Sequence, residues 1–261
     1  MSFESDKVAL ITGGAGGIGL AVTRKLLENG VKGVGVVDIS EDYSGALSSL
    51  QEQYAEKFIF IKADVTKDEE LRNAFEKTIQ KFQNLDIVIN NAGIHDESKW
   101  ERTVSVNLTA VMRGTFFAIQ DYLPKYNSSG EGLVLNTASV LGIETLSNTH
   151  AYGATKHGVV GLGKSLGKDE SCLKHNIRVI TLCPGLIHTP MIGDLNTIKK
   201  PSDVSEEVAE MCKKVSSTDY IAEAVSEIMN KAEHGSVWVT EDEEPPYQLV
   251  FPNRKEMRKT S

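Results

Sequence analysis

The sequence predicts an α/β fold, consisting of one doubly wound domain with a seven-stranded parallel sheet and helices on both faces. Short apolar runs alternate along the whole chain with segments of helical periodicity, and the first run leads into a glycine-rich turn. The length of 261 residues is near the upper end of what one hydrophobic core supports. We therefore expect a single domain over residues 1–261.

Seven apolar runs are the predicted strands. Each is short and has little or no polar interruption, as expected for strands that are buried on both faces of a parallel sheet. In chain order they cover residues 8–11, 34–37, 58–61, 87–89, 133–135, 177–180 and 236–240.

Helical periodicity fills the connections between these strands, which is the pattern of successive βαβ units. The clearest helical segments cover residues 18–27, 68–82, 102–123, 152–172 and 219–232. We expect a substrate lid at about 186–216 and a C-terminal tail at 241–261. The tail carries Tyr247 and Phe251 and is more apolar than a frayed end, so it packs either on the body of the domain or on a second subunit.

Composition and charge exclude several classes of protein. The net charge of −8 disfavours nucleic acid and anionic membranes as partners. The longest stretch without a charged residue, 8–23, is too short and too rich in glycine to span a bilayer. Cys172, Cys183 and Cys212 are too few and too far apart for a disulfide framework or a metal cluster. We therefore expect a cytoplasmic protein without a metal.

The turn after the first strand is the strongest local motif. It reads Thr-Gly-Gly-Ala-Gly-Gly-Ile-Gly over residues 12–19, and it lies directly between a strand and a helix. Glycines let backbone N–H groups approach a pyrophosphate, and the N-terminus of the helix adds a partial positive charge. This context predicts a Rossmann-type dinucleotide site at Gly13, Gly17, Ile18 and Gly19.

Asp38 ends the second strand, nineteen residues after Gly19. That separation is close to the one expected for the acid that accepts hydrogen bonds from a ribose diol. A 2′-phosphate would place a second anion beside Asp38, and neither 14–18 nor 39–41 offers an Arg or Lys to neutralise it. The sequence therefore favours NAD over NADP, although Asp38 by itself is also typical of a turn at a strand end.

Tyr152 and Lys156 are four residues apart in a helical segment, so they lie on one face. Such a pair is also common on solvated helix surfaces. This one, however, follows the fifth strand, at the edge where ligands bind in open α/β sheets, and Ser139 comes just after that strand. A phenol has an ordinary pKa of about 10 and is a poor base at neutral pH unless a cation stabilises its phenolate. Lys156 is the candidate cation.

Taken together, these motifs resemble the short-chain dehydrogenase/reductase family over essentially the whole chain. The resemblance rests on the turn at 12–19, Asn-Asn-Ala-Gly at 90–93, Asn107, Ser139, Tyr152 with Lys156, and Pro184-Gly185. Within the family, the stretches 100–103, 152–160 and 235–238 are similar to two branches, the NAD-dependent 15-hydroxyprostaglandin dehydrogenases and the short-chain alcohol dehydrogenases of insects.

The resemblance implies roles for individual residues. Asn107 would hold a water that relays protons between Lys156 and solvent, Asp64 would contact the adenine, and Ile187 and Thr189 would bind the nicotinamide carboxamide. It also implies a homodimer or homotetramer built from the helices at 102–123 and 152–172. The implied contacts of NAD are Gly13, Gly17, Ile18, Gly19, Asp38, Asp64, Val65, Asn91, Ala92, Gly93, Tyr152, Lys156, Pro184, Gly185, Ile187 and Thr189.

The expected substrate is a small lipophilic alcohol or ketone, because most residues near the predicted pocket are apolar. Core packing would give much of the same list, and Lys199 and Lys200 could either attract a substrate carboxylate or simply be solvated. The apolar residues are Leu141, Ile143, Leu146, Leu186, Ile187, Met191, Ile192 and Leu195.

Two functions from different classes follow. The first is an NAD-dependent alcohol dehydrogenase in which Ser139 binds the substrate oxygen and Tyr152 is the general base. The second is a dinucleotide-binding regulator with little or no turnover. The loop and helix histidines, His95, His150, His157 and His188, have no spacing typical of zinc ligands. The sequence leaves open the substrate, its stereochemistry, the direction of the reaction, dimer versus tetramer, and the role of the acidic stretch 241–244 and the basic end.

Overall fold

A computed structural model describes residues 2–41, 45–192 and 214–258. The strands in these residues are β1 Val8–Thr12, β2 Gly33–Asp38, β3 Phe58–Lys62, β4 Ile87–Asn90, β5 Gly132–Thr137, β6 Ile177–Pro184, β7 Val237–Thr240 and β8 Tyr247–Gln248. They form one sheet with the order β3-β2-β1-β4-β5-β6-β7-β8. Strands β1 to β7 are parallel and β8 is antiparallel to β7. The predicted fold class is confirmed, and β8 adds one short edge strand to the seven expected.

The helices of the described residues cover both faces of the sheet. They are α1 Gly17–Glu28, α2 Ala46–Gln53, α3 Asp68–Phe82, α4 over 100–126, α5 His150–Leu166, α6 Glu170–Lys174 and α7 Thr218–Lys231. Helix α4 is continuous, but it widens into π-helical stretches at Ser105–Ala110 and Phe117–Tyr122. No helix among the described residues is long and apolar enough to cross a membrane.

Two apolar layers hold the helices against the sheet. On β1, Ala9 and Ile11 pack into the layer of α1, α2 and α7, whereas Val8 and Leu10 pack into the layer of α3 and α4. This alternation follows from the period of two along a strand. Each fully buried Leu or Ile contributes roughly 1.5–3 kcal/mol of transfer free energy, so the centre of the sheet is a rigid platform for the loops at its edge.

The helix expected over 152–172 is two helices in the structure. Helix α5 ends at Leu166, and Gly167 then passes so close to Gly235 that a Cβ would lie 2.6 Å from the Gly235 Cα. Asp169 starts α6 by accepting hydrogen bonds from the amides of Ser171 and Cys172. The break therefore results from a contact with a residue far along the chain and from a new N-cap.

Candidate active site

The glycine turn between β1 and α1 has the backbone that its sequence predicts. Gly13 and Gly17 have φ angles of 65° and 51°, which L side chains rarely adopt. A Cβ on Gly19 would lie 2.1 Å from the Gly13 carbonyl oxygen. The N-cap Gly16 provides no side-chain cap, and the first turn of α1 contains no acid. The turn can therefore present amide groups and the positive end of α1 to an anion.

Asp38 lies beside this turn at the end of β2. It is only 7% exposed, and its carboxylate accepts hydrogen bonds from the amides of Ala15 and Ser40, each at 3.1 Å. Lys62 is the register partner of Asp38 on β3, and its ammonium group pairs with Glu41 at 3.0 Å. The next residue, Ile39, is 49% exposed.

The loop after β4 forms the opposite wall of the cleft. The Thr12 hydroxyl accepts hydrogen bonds from the amides of Asn91 and Ala92 at 3.0 and 3.1 Å. The Asn91 side chain donates to the carbonyls of Thr12 and Gly13, both at 3.2 Å. A Cβ on Gly13 would lie 2.8 Å from the Ala92 Cα. The two loops are thus locked together by hydrogen bonds and by close backbone contact.

Asp64 and Val65 follow β3 at the same edge of the sheet. The Asp64 carboxylate accepts hydrogen bonds from the amide and hydroxyl of Thr66, at 2.9 and 2.7 Å. Val65 is buried, and its carbonyl accepts a hydrogen bond from Arg113 on α4. Both residues lie at the predicted position, but their role toward an adenine stays a prediction.

Asn107 lies in the first π-helical stretch of α4 and is fully buried. Its amide makes a reciprocal pair of hydrogen bonds with the backbone of Ile94: the Ile94 amide donates to Oδ1 and Nδ2 donates to the Ile94 carbonyl, both at 2.8 Å. Gly93 lies between Asn107 and Lys156, because a Cβ there would be 3.5 Å from Oδ1 and 3.7 Å from Nζ. The structure therefore brings the side chains of Asn107 and Lys156 to opposite sides of the same residue, Gly93.

Ser139, Tyr152 and Lys156 converge above the ends of β5 and β6. The Ser139 hydroxyl lies close enough to the phenol of Tyr152 to lower its pKa, and it accepts a hydrogen bond from the Leu141 amide at 3.1 Å. The Lys156 ammonium lies 5.4 Å from the centre of the Tyr152 ring and donates to the Thr137 carbonyl at 2.9 Å. That bond uses one of the three ammonium hydrogens, so Lys156 keeps two for other partners.

Burial sets the acidity of this group. Burial raises the pKa of Tyr152, whereas the nearby Ser139 hydroxyl acts in the opposite direction. Burial lowers the pKa of Lys156 to about 8. The thiol of Cys183 lies next to Lys156 and is buried too, which raises its pKa to about 12 and keeps it neutral. The protein alone therefore does not give Tyr152 the lowered pKa that the sequence argument expected from Lys156.

The segment after β6 closes the site from the other side. The Gly185 amide donates to the Thr240 carbonyl at 2.8 Å, following Pro184 at the end of the strand. Ile187 is buried, and its backbone forms an isolated parallel β-bridge with Ser216. A Cβ on Gly17 would lie 3.2 Å from the methyl group of Thr189, so Thr189 covers the glycine turn.

The apolar residues expected near the pocket are only partly described. Ile187 is buried, Met191 is 46% exposed, and Leu141, Ile143, Leu146 and Leu186 are partly buried. Leu195, Lys199, Lys200 and Cys212 lie outside the described residues, as do the side chain of Ile192 and most of the expected lid. Within the described residues, no group of three or more His, Cys, Asp or Glu side chains could hold a metal ion.

Beyond the expected lid, the tail lies on the body of the domain. Besides the β7–β8 pairing, the Lys164 ammonium of α5 lies 3.7 Å from the centre of the Phe251 ring. The acidic stretch before it is held by specific bonds. Tyr247 donates to Glu241, Lys214 pairs with Asp242, and the Ser217 amide donates to Glu243. These contacts tie residues 214–217 to the end of β7.

Glu97 is a residue near Tyr152 that sequence reasoning misses. Its carboxylate accepts hydrogen bonds from the amides of Ala151 and Tyr152, each at 2.9 Å. His95, which the sequence placed only in a loop near the cleft, lies with its ring centre 4.9 Å from that of Tyr152. No local pattern signals Glu97, because its partners are backbone amides 54 and 55 residues away.

Comparisons with known proteins agree with the fold and the family resemblance. A sequence profile for short chain dehydrogenases matches residues 7–200. The NAD(+) 15-hydroxyprostaglandin dehydrogenase of Rattus norvegicus is 36% identical over 204 residues, which cover 77% of this chain and 75% of that protein. The 3beta-hydroxysteroid dehydrogenase 2 of Eggerthella lenta is 34% identical over 195 residues, 71% of this chain and 72% of that protein. The solved structure of levodione reductase has a TM-score of 0.76 and 27% identity, over 91% of this chain and 97% of that one.

The fold and the matched sequences define the class of protein as a Rossmann-type oxidoreductase. More specifically, the chain belongs to the short-chain dehydrogenase/reductase family, as its motifs predict.

Proposed function

We propose that this protein transfers a hydride between a lipophilic secondary alcohol and NAD+, with Tyr152 as the general base. One observation carries the proposal: Ser139, Tyr152 and Lys156 lie close together at the sheet edge where the glycine turn opens. A protein that only holds a dinucleotide needs none of these three side chains. Their association in a partly buried site supports catalysis.

The residues around the cleft fit NAD. The turn at Gly13, Gly17 and Gly19 leaves no room for side chains and would hold the pyrophosphate, and the carboxylate of Asp38 would accept the ribose hydroxyls. Asp64 and Val65 would contact the adenine. The loop after β4 would line the middle of the cofactor cleft with Asn91, Ala92 and Gly93. The segment after β6 would contact the nicotinamide end with Pro184, Gly185, Ile187 and Thr189. When bound, oxidised NAD supplies a hydride acceptor and a positive ring.

The chain's own residues would handle the proton. Ser139 binds the substrate oxygen, and the phenolate of Tyr152 takes the hydroxyl proton. Lys156 stabilises that phenolate with its remaining ammonium hydrogens and contacts the nicotinamide ribose. Asn107 holds the backbone at Ile94 and positions a water that returns protons from Lys156 to solvent. Because burial raises the pKa of Tyr152 even with Lys156 nearby, the positive nicotinamide ring of bound NAD+ would supply the further charge that stabilises its phenolate.

The substrate class rests on the partly buried apolar residues at 141–146 and 186–187. The relatives above are named for action on prostaglandins, hydroxysteroids and levodione, which are all lipophilic alcohols or ketones.

We assign the protein to the cytoplasm. We also propose that it forms a homodimer or homotetramer whose interface is built from α4 and α5. Val111, Val160 and Leu166, which are apolar residues of these helices, are buried within the chain itself, so any interface would use other residues.

The reaction can be tested by NADH absorbance. Purified protein with NAD+ is offered a panel of secondary alcohols, hydroxysteroids, prostaglandins and isoprenoid alcohols. The proposal predicts enzyme-dependent formation of NADH with at least one lipophilic secondary alcohol and a lower rate with NADP+. NAD binding without turnover across the panel, measured by calorimetry, would instead favour the dinucleotide-binding regulator.

A further inference from the structure

The helix that carries Tyr152 has an unusual N-terminal cap. Thr149, at the N-cap position of α5, makes no side-chain bond to the first turn, and its hydroxyl donates to the Leu146 carbonyl instead. The amides of Ala151 and Tyr152 donate to the two carboxylate oxygens of Glu97. The orphan amides of a helix start are thus satisfied by a side chain from another segment.

Glu97 is itself firmly placed. The preceding residue, Asp96, accepts hydrogen bonds from the amides of Ser98 and Lys99, and its carbonyl accepts one from Thr103 on α4. Ile94, three residues before Glu97, makes two backbone hydrogen bonds with the side chain of Asn107, which is also on α4. The segment 94–97 therefore connects the wall of the cofactor cleft, helix α4 and the start of α5.

The carboxylate stays ionised in this position. Burial alone would raise the pKa of Glu97, but the amides of Tyr152 and Ala151, together with the nearby His95 and His150, hold it below the ordinary value. An ionised carboxylate can accept both amide hydrogens at once, and the positive end of the α5 dipole stabilises its charge.

We propose that Glu97 is a positioning residue, which sets the distance between Tyr152 and the 91–94 wall of the cofactor cleft through the backbone amide of Tyr152. This inference rests on the proposed function, because it assigns Glu97 a role in the same reaction. His95 adds a second contact from the same segment, since its ring packs against the Tyr152 ring at a tilt of 49°. The backbone and the ring of Tyr152 are thus both held from residues 95–97.

Removing this cap should affect the rate rather than cofactor binding. A displacement of about 1 Å between reacting groups can cost on the order of a hundredfold in rate. Glu97→Gln retains one acceptor oxygen and the size of the side chain, and we expect kcat to fall about tenfold. Glu97→Ala should lower kcat further. The Kd for NADH, measured by fluorescence, should stay within about twofold, because the turn at 12–19 and Asp38 are untouched.

Glu101→Gln is the matched control. It makes the same chemical change on an exposed side chain in the first turn of α4, for which the described residues show no side-chain hydrogen bond to α5. We expect its kcat to equal that of the wild type. Melting temperatures of all variants show whether a loss of rate reflects unfolding.

A double-mutant cycle separates positioning of Tyr152 from a general structural role. Single-turnover rates are measured for Glu97→Gln in the wild-type background and in Tyr152→Phe. If Glu97 acts through Tyr152, its substitution should cost about tenfold in the first background and less than about twofold in the second. An equal loss in both backgrounds, or no loss in the first, overturns the inference while leaving the proposed function intact. Absence of NADH formation by the wild type overturns both.

Discussion

The glycine turn and Tyr152 lie at the same edge of the sheet, but different parts of the chain hold them. Gly13, Gly19 and Asp38 are shaped mainly by contacts among residues 13–40, which Asn91 and Ala92 of the loop after β4 brace. Tyr152 is held by Ser139, Glu97 and His95, which come from two other loops. The dinucleotide half therefore follows from local sequence, and the reacting half from tertiary contacts. Substitutions in the two halves should separate cofactor binding from turnover.

The largest effect is expected at Tyr152. Tyr152→Phe keeps the ring packed against His95 but removes the hydroxyl that lies near Ser139. Turnover should fall at least about a hundredfold, the low end of general-base contributions, while the Kd for NADH stays within about twofold. Steady-state rates and fluorescence titration measure the two quantities. Turnover within about twofold of the wild type would break the assignment of Tyr152 as the base.

The next largest effect is expected at Asp38, and it should be on the affinity for NAD rather than on turnover. Asp38→Asn retains one acceptor oxygen for Ala15 or Ser40 but removes the charge that, in the proposed site, would bind the ribose diol. Hydrogen bonds to charged groups contribute about 1.5–3 kcal/mol, so we expect NAD to bind roughly ten- to a hundredfold more weakly. At saturating NAD, kcat should be little changed. Calorimetry and saturation kinetics check this, and unchanged NAD affinity would contradict the assignment.

The pH dependence sharpens the comparison further. Burial raises the pKa of Tyr152, and alcohol oxidation needs this group ionised. Below the apparent pKa, kcat for oxidation should therefore rise about tenfold per pH unit, whereas kcat for ketone reduction, which needs the protonated phenol, should be independent of pH there and fall only above that pKa. The Kd for NADH should show no such slope over the same range. Retention of the slope in Tyr152→Phe would mean that another group titrates.

The smallest effect is expected at Glu41, which pairs with Lys62 beside the ribose site. Both side chains are well exposed, so the pair contributes at most about 1 kcal/mol. Glu41→Gln should leave the Kd for NAD within about twofold and the melting temperature nearly unchanged. A gain of tenfold or more in NADP affinity would show that freeing Lys62 is enough to bind a 2′-phosphate. It would contradict the claim that Asp38 sets the preference for NAD over NADP.

The parts predicted from sequence are those whose geometry is encoded locally. The positive φ angles at Gly13 and Gly17, the acid at Asp38 and the Tyr152–Lys156 spacing all follow from short-range rules. These rules also predicted the parallel sheet and its covering helices, because apolar runs and helical periodicity alternate along the chain.

The remaining features depend on contacts that no local pattern encodes. Glu97 binds amides more than fifty residues away, and α5 ends at Gly167 because Gly235 approaches it. Strand β8 is two residues long and forms only because Leu249 and its neighbours return to β7. The pKa of Tyr152 could not be foreseen either, because it depends on how deeply the folded site buries the phenol.

A single-turnover experiment with an alcohol deuterated at the carbinol carbon tests the central claim most directly. Mass spectrometry of the cofactor should find the deuterium in NADH at a rate that Tyr152→Phe slows at least about a hundredfold, with NAD still bound. Deuterium released to solvent, or label transfer at the wild-type rate in Tyr152→Phe, would contradict hydride transfer assisted by this tyrosine.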